Sequence, residues 1–294
     1  MRKRFLSSSG SRGGFVLFLV LVMVSVTASF LFSLYYLTTR NFKRTEDFRD
    51  YTVAYHAAVS AVKIALYFLR NDNNGFDGVG DEWASPFYYN YRGISVSVRV
   101  EDECGKLNVN KLVNNRWHAI AERLFENLGL NPDLADSIRD WVDRDDEVFE
   151  NGAESFYYGG LGYRPSNAPM KSVYELLYVK GIGEKVFKKL KRYLTVYGDK
   201  VNVNSAPKEV LLALSPNMNE DAVDSIIENR PIKNLGKLKE LPGFDEELYF
   251  EIRPLITEKC NYFRIEATAS YGDTTATVEA FTDRHRVLEW KVVQ

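Results

Sequence analysis

Between Phe15 and Leu37 the chain reads FVLFLVLVMVSVTASFLFSLYYL, an uncharged run broken only by Ser25, Thr27, Ser29, Ser33, Tyr35 and Tyr36. A helix rises about 1.5 Å per residue, so a run of this length crosses the roughly 30 Å hydrocarbon core of a bilayer. The residues before it, MRKRFLSSSGSRGG, hold Arg2, Lys3, Arg4 and Arg12 and no acid. Positive charge stays on the cytoplasmic side, which predicts that everything after the run lies outside the inner membrane. A plain signal anchor would carry the same run, so the rest of the chain has to discriminate.

A secretory signal places small residues after its apolar region. Here the order is inverted, because Gly13 and Gly14 precede the run and Phe15 opens it. This junction resembles the class III leader of type IV pilins and pseudopilins. The resemblance implies that a prepilin peptidase cuts between Gly14 and Phe15 on the cytoplasmic side and methylates the new amino terminus at Phe15, leaving the membrane helix in place. Pilins usually carry Glu at the fifth mature position, where this chain has Leu19. The K subunit among the pseudopilins of type II secretion resembles this chain in that departure.

At 294 residues with 45% hydrophobic side chains, the chain is long and apolar enough for about two domains. Tyr51, Tyr55, Val59, Val62, Leu66 and Leu69 recur at steps of three and four, which predicts that the membrane helix continues to about Leu69 with one face packed. The cluster NDNNGFDGVGD then stops it. From Ile94 the period becomes two, with Ile94, Val96, Val98 and Val100 alternating with polar residues. The same alternation returns only after Phe263, and again in RVLEWKVV, so strands are expected at both ends of a long helical stretch.

That helical stretch looks duplicated. GKLNVN at 105–110 and DKVNVN at 199–204 each introduce helices, and each is followed by an Asp-Ser-Ile, at 136–138 and 224–226. A strand, GKLNVN, DWVDRDDEVFENGAESFYY, YRPSNAPMKSVYELLYVKGIG, VNVNSAPKEVLLAL and a terminal VLEW occur in the order found in the K minor pseudopilins of type II secretion. The chain resembles that family over nearly the whole of its mature length. The resemblance implies an α+β fold in which a long N-terminal helix packs on an antiparallel sheet and a large α-helical domain is inserted between strands. In these terms residues 1–14 are the leader and 15–39 the transmembrane half of the helix. Residues 40–104 open the pilin-like domain, 105–260 form the insertion with lobes at 105–198 and 199–260, and 261–294 close the sheet.

Three groups of residues bear on chemistry. Asp140, Asp143, Asp145, Asp146, Glu147 and Glu154 place carboxylates at alternating loop positions around Gly152, a supply of the hard oxygen ligands that Ca²⁺ selects. A solvated acidic loop has the same composition, and the EF-hand pattern is missing. The family resemblance implies calcium, with Asp143, Asp145 and Glu154 as the expected ligands and Asp140, Asp146 and Glu147 behind them. Cys104 and Cys260 bracket the helical insertion on the oxidising side of the membrane, and a disulfide between them would tie its two ends together. LLYVKGIGEKVFKKLKRYL resembles a helix-hairpin-helix, with Lys185, Lys188, Lys189 and Lys191 near a Gly-Ile-Gly turn. That motif supports an alternative, a membrane-tethered periplasmic DNA receptor, against the bland reading of a helix–turn–helix packing element.

The charge balance weighs against nucleic acid, because the whole chain carries −2 and the mature part, without its four leader cations, about −6. His56, His118 and His285 are scattered, and no nucleophile or phosphate-loop signature occurs, so no enzyme is expected. The resemblance implies a minor pseudopilin in the inner membrane with its bulk in the periplasm. It also implies that the I and J minor pseudopilins are partners at the pseudopilus tip, where assembly is primed and the filament capped.

Overall fold

The computed structural model describes residues 11–293, so positions 1–10 of the expected leader lie outside the described residues. Helix α1 runs unbroken from Ser11 to Asn71. Its first half contains the run Phe15–Leu37 with every side chain exposed, and it is the one helix among the described residues long and apolar enough to cross a membrane. The helix stops where Asp72 and Asn74 turn their side chains onto the amides of Asn74 and Phe76 and so cap a turn.

The second half of α1 packs on a sheet along the stripe that the sequence suggested, with Val62, Leu66 and Leu69 in the core, Tyr55 and Val59 at its margin, and alanines beside them that the stripe omitted. Tyr51, Tyr55 and Val59 are only half-buried, while Ala54, Ala58, Ala61, Val62, Ala65, Leu66 and Leu69 are buried. Alanine lets the helix axis approach the sheet closely, whereas bulky side chains settle on the flanks of the contact.

Strands β1 (Phe87–Tyr91), β2 (Ile94–Asp102), β7 (Phe263–Tyr271), β8 (Thr274–Thr282) and β9 (Val287–Val293) form an antiparallel sheet in the order β1-β2-β7-β8-β9. Two-residue turns join the first hairpin, where Arg92 and Gly93 both have positive φ, as a right-twisted hairpin requires. Strand β1 is absent from the sequence reading because FYYNY lacks alternation and four of its five side chains are exposed. Val98, Val100, Ile265, Ala267, Ala269, Val278 and Ala280 point at α1 and complete one core.

The insertion leaves the sheet after Asp102 and returns at Phe263. At that neck Cys104 and Cys260 are joined by a disulfide, their Cα atoms 5.6 Å apart across 156 residues of sequence. In the chain-entropy model a loop of this size constrains the unfolded chain by about 4–5 kcal/mol. Asp102 sits beside it, buried, accepting hydrogen bonds from Ser205 Oγ (2.7 Å), Asn202 and the Cys104 amide. Burial pushes its carboxyl up to about 7.

Inside the insertion the first lobe comprises β3 (Leu107–Asn108), α2 (Asn115–Asn127), α3 (Leu134–Val142), α4 (Ser155–Gly159), α5 (Glu184–Leu190) and β4 (Leu194–Thr195). The second comprises β5 (Val201–Asn202), α6 (Lys208–Ala213), α7 (Glu220–Glu228), α8 (Glu246–Ile252) and β6 (Ile256–Thr257). The two Asn-x-Asn segments do the same work in each. Asn108 and Asn202 are in short strands that pair in parallel with β4 and β6, and their side chains accept from the amides of Asn110 (2.9 Å) and Asn204 (3.0 Å). Asn110 then clamps both backbone groups of Met170, at 2.7 and 3.0 Å, as Asn204 clamps those of Ile232, at 2.6 and 3.0 Å. The Asp-Ser-Ile segments fall on α3 and α7, each with its isoleucine in the core. One continuous hydrophobic core runs through both lobes.

Candidate metal centre

The last turn of α3 carries Asp140, Asp143 caps its end, and the loop that follows folds back so that Glu154 caps the start of α4. Asp140, Asp143 and Glu154 each offer a carboxylate oxygen, and these oxygens all lie within 4.8 Å of one another. Asp140 is fully buried and Glu154 is 2% exposed. Asp140 receives the Phe149 amide at 3.2 Å on both oxygens. By contrast, Asp143 Oδ1 and both oxygens of Glu154 are buried without any hydrogen-bond partner.

Gly152 is required here for space and not for an unusual backbone angle, since a Cβ at this position would run into Asp140 Oδ2. The loop is held from below by Asp136, whose Oδ2 accepts from the Asn151 amide and side chain, both at 3.2 Å. His118 lies buried against Asp136 at 2.8 Å and against Glu122 at 3.6 Å, which makes it a satisfied core histidine.

Three carboxylates this close and this dry resist ionising together. Burial, reinforced by Asp140, Asp143 and Asp146, pushes Glu154 up to about 8. Burial pushes Asp140 up to about 6, and burial with Asp145 nearby does the same to Asp143. Either protons or a cation must occupy such a site, and the orphaned acceptors call for positive charge.

The expected ligands are therefore partly rearranged. Asp143 and Glu154 are together, and Asp140 joins them. Asp145 is exposed, its carboxylate accepts the Glu147 amide at 3.0 Å in a local turn, and it lies beside Asp143 without being one of the three that converge. Asp146 is also exposed and accepts the Ser155 amide at 3.1 Å, and the bonds from Ser155 hold its carboxyl below the usual range. Glu147 points to solvent. One residue escaped the sequence reading, since Asn167 donates to the Asp145 carbonyl at 2.6 Å and keeps its Oδ1 buried and unpartnered. Only the amide nitrogen can donate to a carbonyl, so the oxygen of Asn167 is the free atom. The one signal for it in the sequence is an Asn between prolines in RPSNAP, where the left-handed φ of 43° suits Asn.

Other acidic groupings are internally satisfied. Near the end of α1, Asp77 pairs with Arg284, Asp81 accepts the Gly78 amide at 2.8 Å and Asp72 accepts Trp83 Nε1 at 2.8 Å. The hairpin with the Gly-Ile-Gly turn also serves packing. Ile182 and Phe187 are buried, Lys189 bonds the Leu128 carbonyl, and Lys191 bonds Tyr174 Oη at 2.6 Å, which leaves Lys185 and Lys188 on the surface. Gly14 and Phe15 lie on the exposed start of α1.

Comparison with known proteins agrees with this architecture. Two family models, both described as type II secretion system protein K, match residues 105–199 and 201–250, the two lobes of the insertion. Type II secretion system protein K of Pseudomonas aeruginosa is 30% identical over 199 residues, covering 58% of this chain and 60% of that protein. The protein K of Pectobacterium carotovorum is 28% identical over 216 residues, covering 65% of this chain and 66% of that one. The chain thus matches between three fifths and two thirds of the length of these relatives. A chain in the crystal structure of the GspK–GspI–GspJ complex from the enterotoxigenic Escherichia coli type 2 secretion system superposes with a TM-score of 0.71 at 19% identity, covering 85% of this chain and 99% of that one. That likeness is one of fold. With both lobes of the insertion and the curated relatives agreeing, this chain belongs to the type II secretion system protein K family.

Proposed function

We propose that the chain is a non-enzymatic minor pseudopilin, anchored by α1 in the inner membrane with its bulk in the periplasm. In this reading it assembles with the I and J minor pseudopilins at the pseudopilus tip, primes assembly and caps the filament. The observation that carries the proposal is the pilin-like helix-on-sheet domain bearing a two-lobed helical insertion, the architecture of a protein solved in complex with GspI and GspJ. A prepilin peptidase would release residues 1–14 and methylate Phe15. The packing role of the Gly-Ile-Gly hairpin, with Lys189 and Lys191 engaged internally, disfavours the DNA-receptor alternative.

The carboxylate cluster is assigned to Ca²⁺. Asp140, Asp143 and Glu154 would hold the ion, with Asn167 Oδ1 as a neutral oxygen from a second loop; all are hard ligands, and no histidine or cysteine takes part. Calcium bound there would supply the positive charge that lets the buried carboxylates stay ionised. The role is structural, because the loop and α4 are otherwise held against carboxylate repulsion.

Position at the tip follows from two features. The carboxylate at the fifth mature position of pilins pairs with the amine of a neighbouring subunit above, and Leu19 offers no such group. The bulk of the insertion would collide with copies of itself along a tightly wound shaft. Overproducing this chain should therefore shorten or abolish pseudopili, and immunogold label should sit at filament ends. Label spread evenly along the shaft would overturn the tip assignment.

A further inference from the structure

Where the sheet meets the insertion, on the side away from α1, a pocket of about 570 Å³ is lined by six cations, Arg99, Lys106, Lys188, Lys191, Arg192 and Arg264. Neither the membrane anchor nor the candidate metal centre uses it. Its position follows from strand alternation, because Val98, Val100 and Ile265 point at α1 and their neighbours Arg99, Glu101 and Arg264 therefore point to the opposite face. Helix α5 and the turn after it bring Lys188, Lys191 and Arg192 to that face, and the start of α6 adds Pro207 and Glu209.

Half of these cations are engaged in a frame. Lys106 is paired with Glu103, Arg264 with Glu101 and, at 2.8 Å, with Glu279, and Lys191 lies 3.6 Å from Glu279. Glu103 and Glu279 are each 2% exposed, so removing a partner would strand a buried charge, and the frame holds the pocket walls in place. The other half is open. The side chains of Arg99 and Arg192 are exposed and make no ion pair or hydrogen bond among the described residues, and Lys188 is 3.8 Å from Glu184 on its own helix. Arg264 Nε is buried with no hydrogen-bond acceptor, the Glu103 carboxylate being 3.7 Å away. On a mature chain of about −6 net charge, this is a local reversal of sign.

We propose that the pocket docks an acidic segment of another polypeptide, which approaches from the side away from α1 and sets its carboxylates on Arg99, Arg192 and Lys188. Guanidinium groups take planar carboxylates in bidentate pairs. The lining also holds two carboxylates, Glu101 and Glu209, whose spare lone pairs accept hydrogen bonds. A peptide brings backbone N–H donors for them, whereas a phosphate or a nucleic-acid strand brings anionic oxygens that they repel. Tyr193 and Pro207 add apolar surface for the rest of the segment. In the assembly reading above, subunits pack through their N-terminal helices, so a pocket on the opposite face stays open in the filament and its occupant comes from outside. That last step rests on the assembly reading; the docking chemistry does not.

The test uses the full chain in detergent, with a fluorescent octapeptide of alternating Asp and Gly, its counterpart of alternating Lys and Gly, and inorganic phosphate as competitor. The acidic peptide should bind at low salt, more tightly than the basic one, and weaken as salt is raised. Arg99→Glu and Arg192→Glu should each lower its affinity by about tenfold, and Lys63→Glu, on exposed α1, should leave it unchanged. All three positions are exposed, so the variants should melt with the unaltered chain and a lost signal reports on the pocket. Absence of binding, equal binding of the two peptides, displacement by phosphate at the same concentration as unlabelled acidic peptide, or full binding in both arginine variants would overturn the proposal. Binding should persist when the chain is in complex with its I and J counterparts, and its loss there alone would overturn the outward approach. Failure of I and J to assemble with the chain would count against the assembly reading and leave the single-chain result to decide the docking chemistry.

Discussion

Calcium should raise the melting temperature of the detergent-solubilised chain, and Glu154→Gln should abolish that gain. An ion that binds only the native state stabilises it by RT ln(1 + [L]/Kd), about 2.7 kcal/mol at a hundredfold excess over Kd, or roughly 5–10 °C for a protein of this size. Glu154→Gln keeps the shape of the side chain and removes one of three crowded charges. Without calcium the variant should therefore melt at or above the unaltered chain, and with calcium well below it. Asp140→Asn should behave in the same way, and Asn167→Ala should reduce the gain in addition to lowering the calcium-free value, since it loses the hydrogen bond to the Asp145 carbonyl and puts alanine at a left-handed φ. Asp273→Ala, on the exposed turn between β7 and β8, serves as the control. Equal calcium responses in Glu154→Gln and Asp273→Ala would place the ion elsewhere.

Processing provides the second large effect. Co-produced prepilin peptidase should shorten the chain by its first fourteen residues, leaving Phe15 at the amino terminus with one added methyl group by intact mass. Gly14→Ala should block this. No atom lies within 4 Å of where a Cβ would sit at Gly14, and alanine favours a helix, so the substitution does not disturb α1 itself. Loss of cleavage in that variant would report on the peptidase and not on misfolding. Complete processing of Gly14→Ala, or a cut beyond Leu37, would contradict the pilin-like leader.

Much of this architecture is legible in the sequence, for physical reasons that differ by element. The membrane half of α1 is evident because twenty-three uncharged residues have few alternatives to a spanning helix. Strands β2 and β7 are evident because one face is buried and the other wet. Strand β1 is not, since an edge strand with both faces open has no alternation to display. The packed face of α1 is legible through Val62, Leu66 and Leu69, but the alanines that share it are not, because alanine gives a weak apolar signal although it permits the closest approach to the sheet.

The candidate metal centre divides in the same way. Its carboxylates stand out by composition, but which of them converge depends on the turn that spends Asp145 on the Glu147 amide. The role of Asp140 follows from α3 ending two residues later, a boundary that sequence periodicity locates poorly. Asn167 reaches the Asp145 carbonyl from a separate loop, and no local spacing connects it to the acidic run.

If this chain works as one member of a mixed tip complex, the full chain co-produced with its I and J minor pseudopilins and purified in calcium should elute as a particle whose mass corresponds to one copy of this chain with each partner. Elution of this chain alone, or as an assembly of its own copies while I and J pair without it, would rule out membership of such a complex.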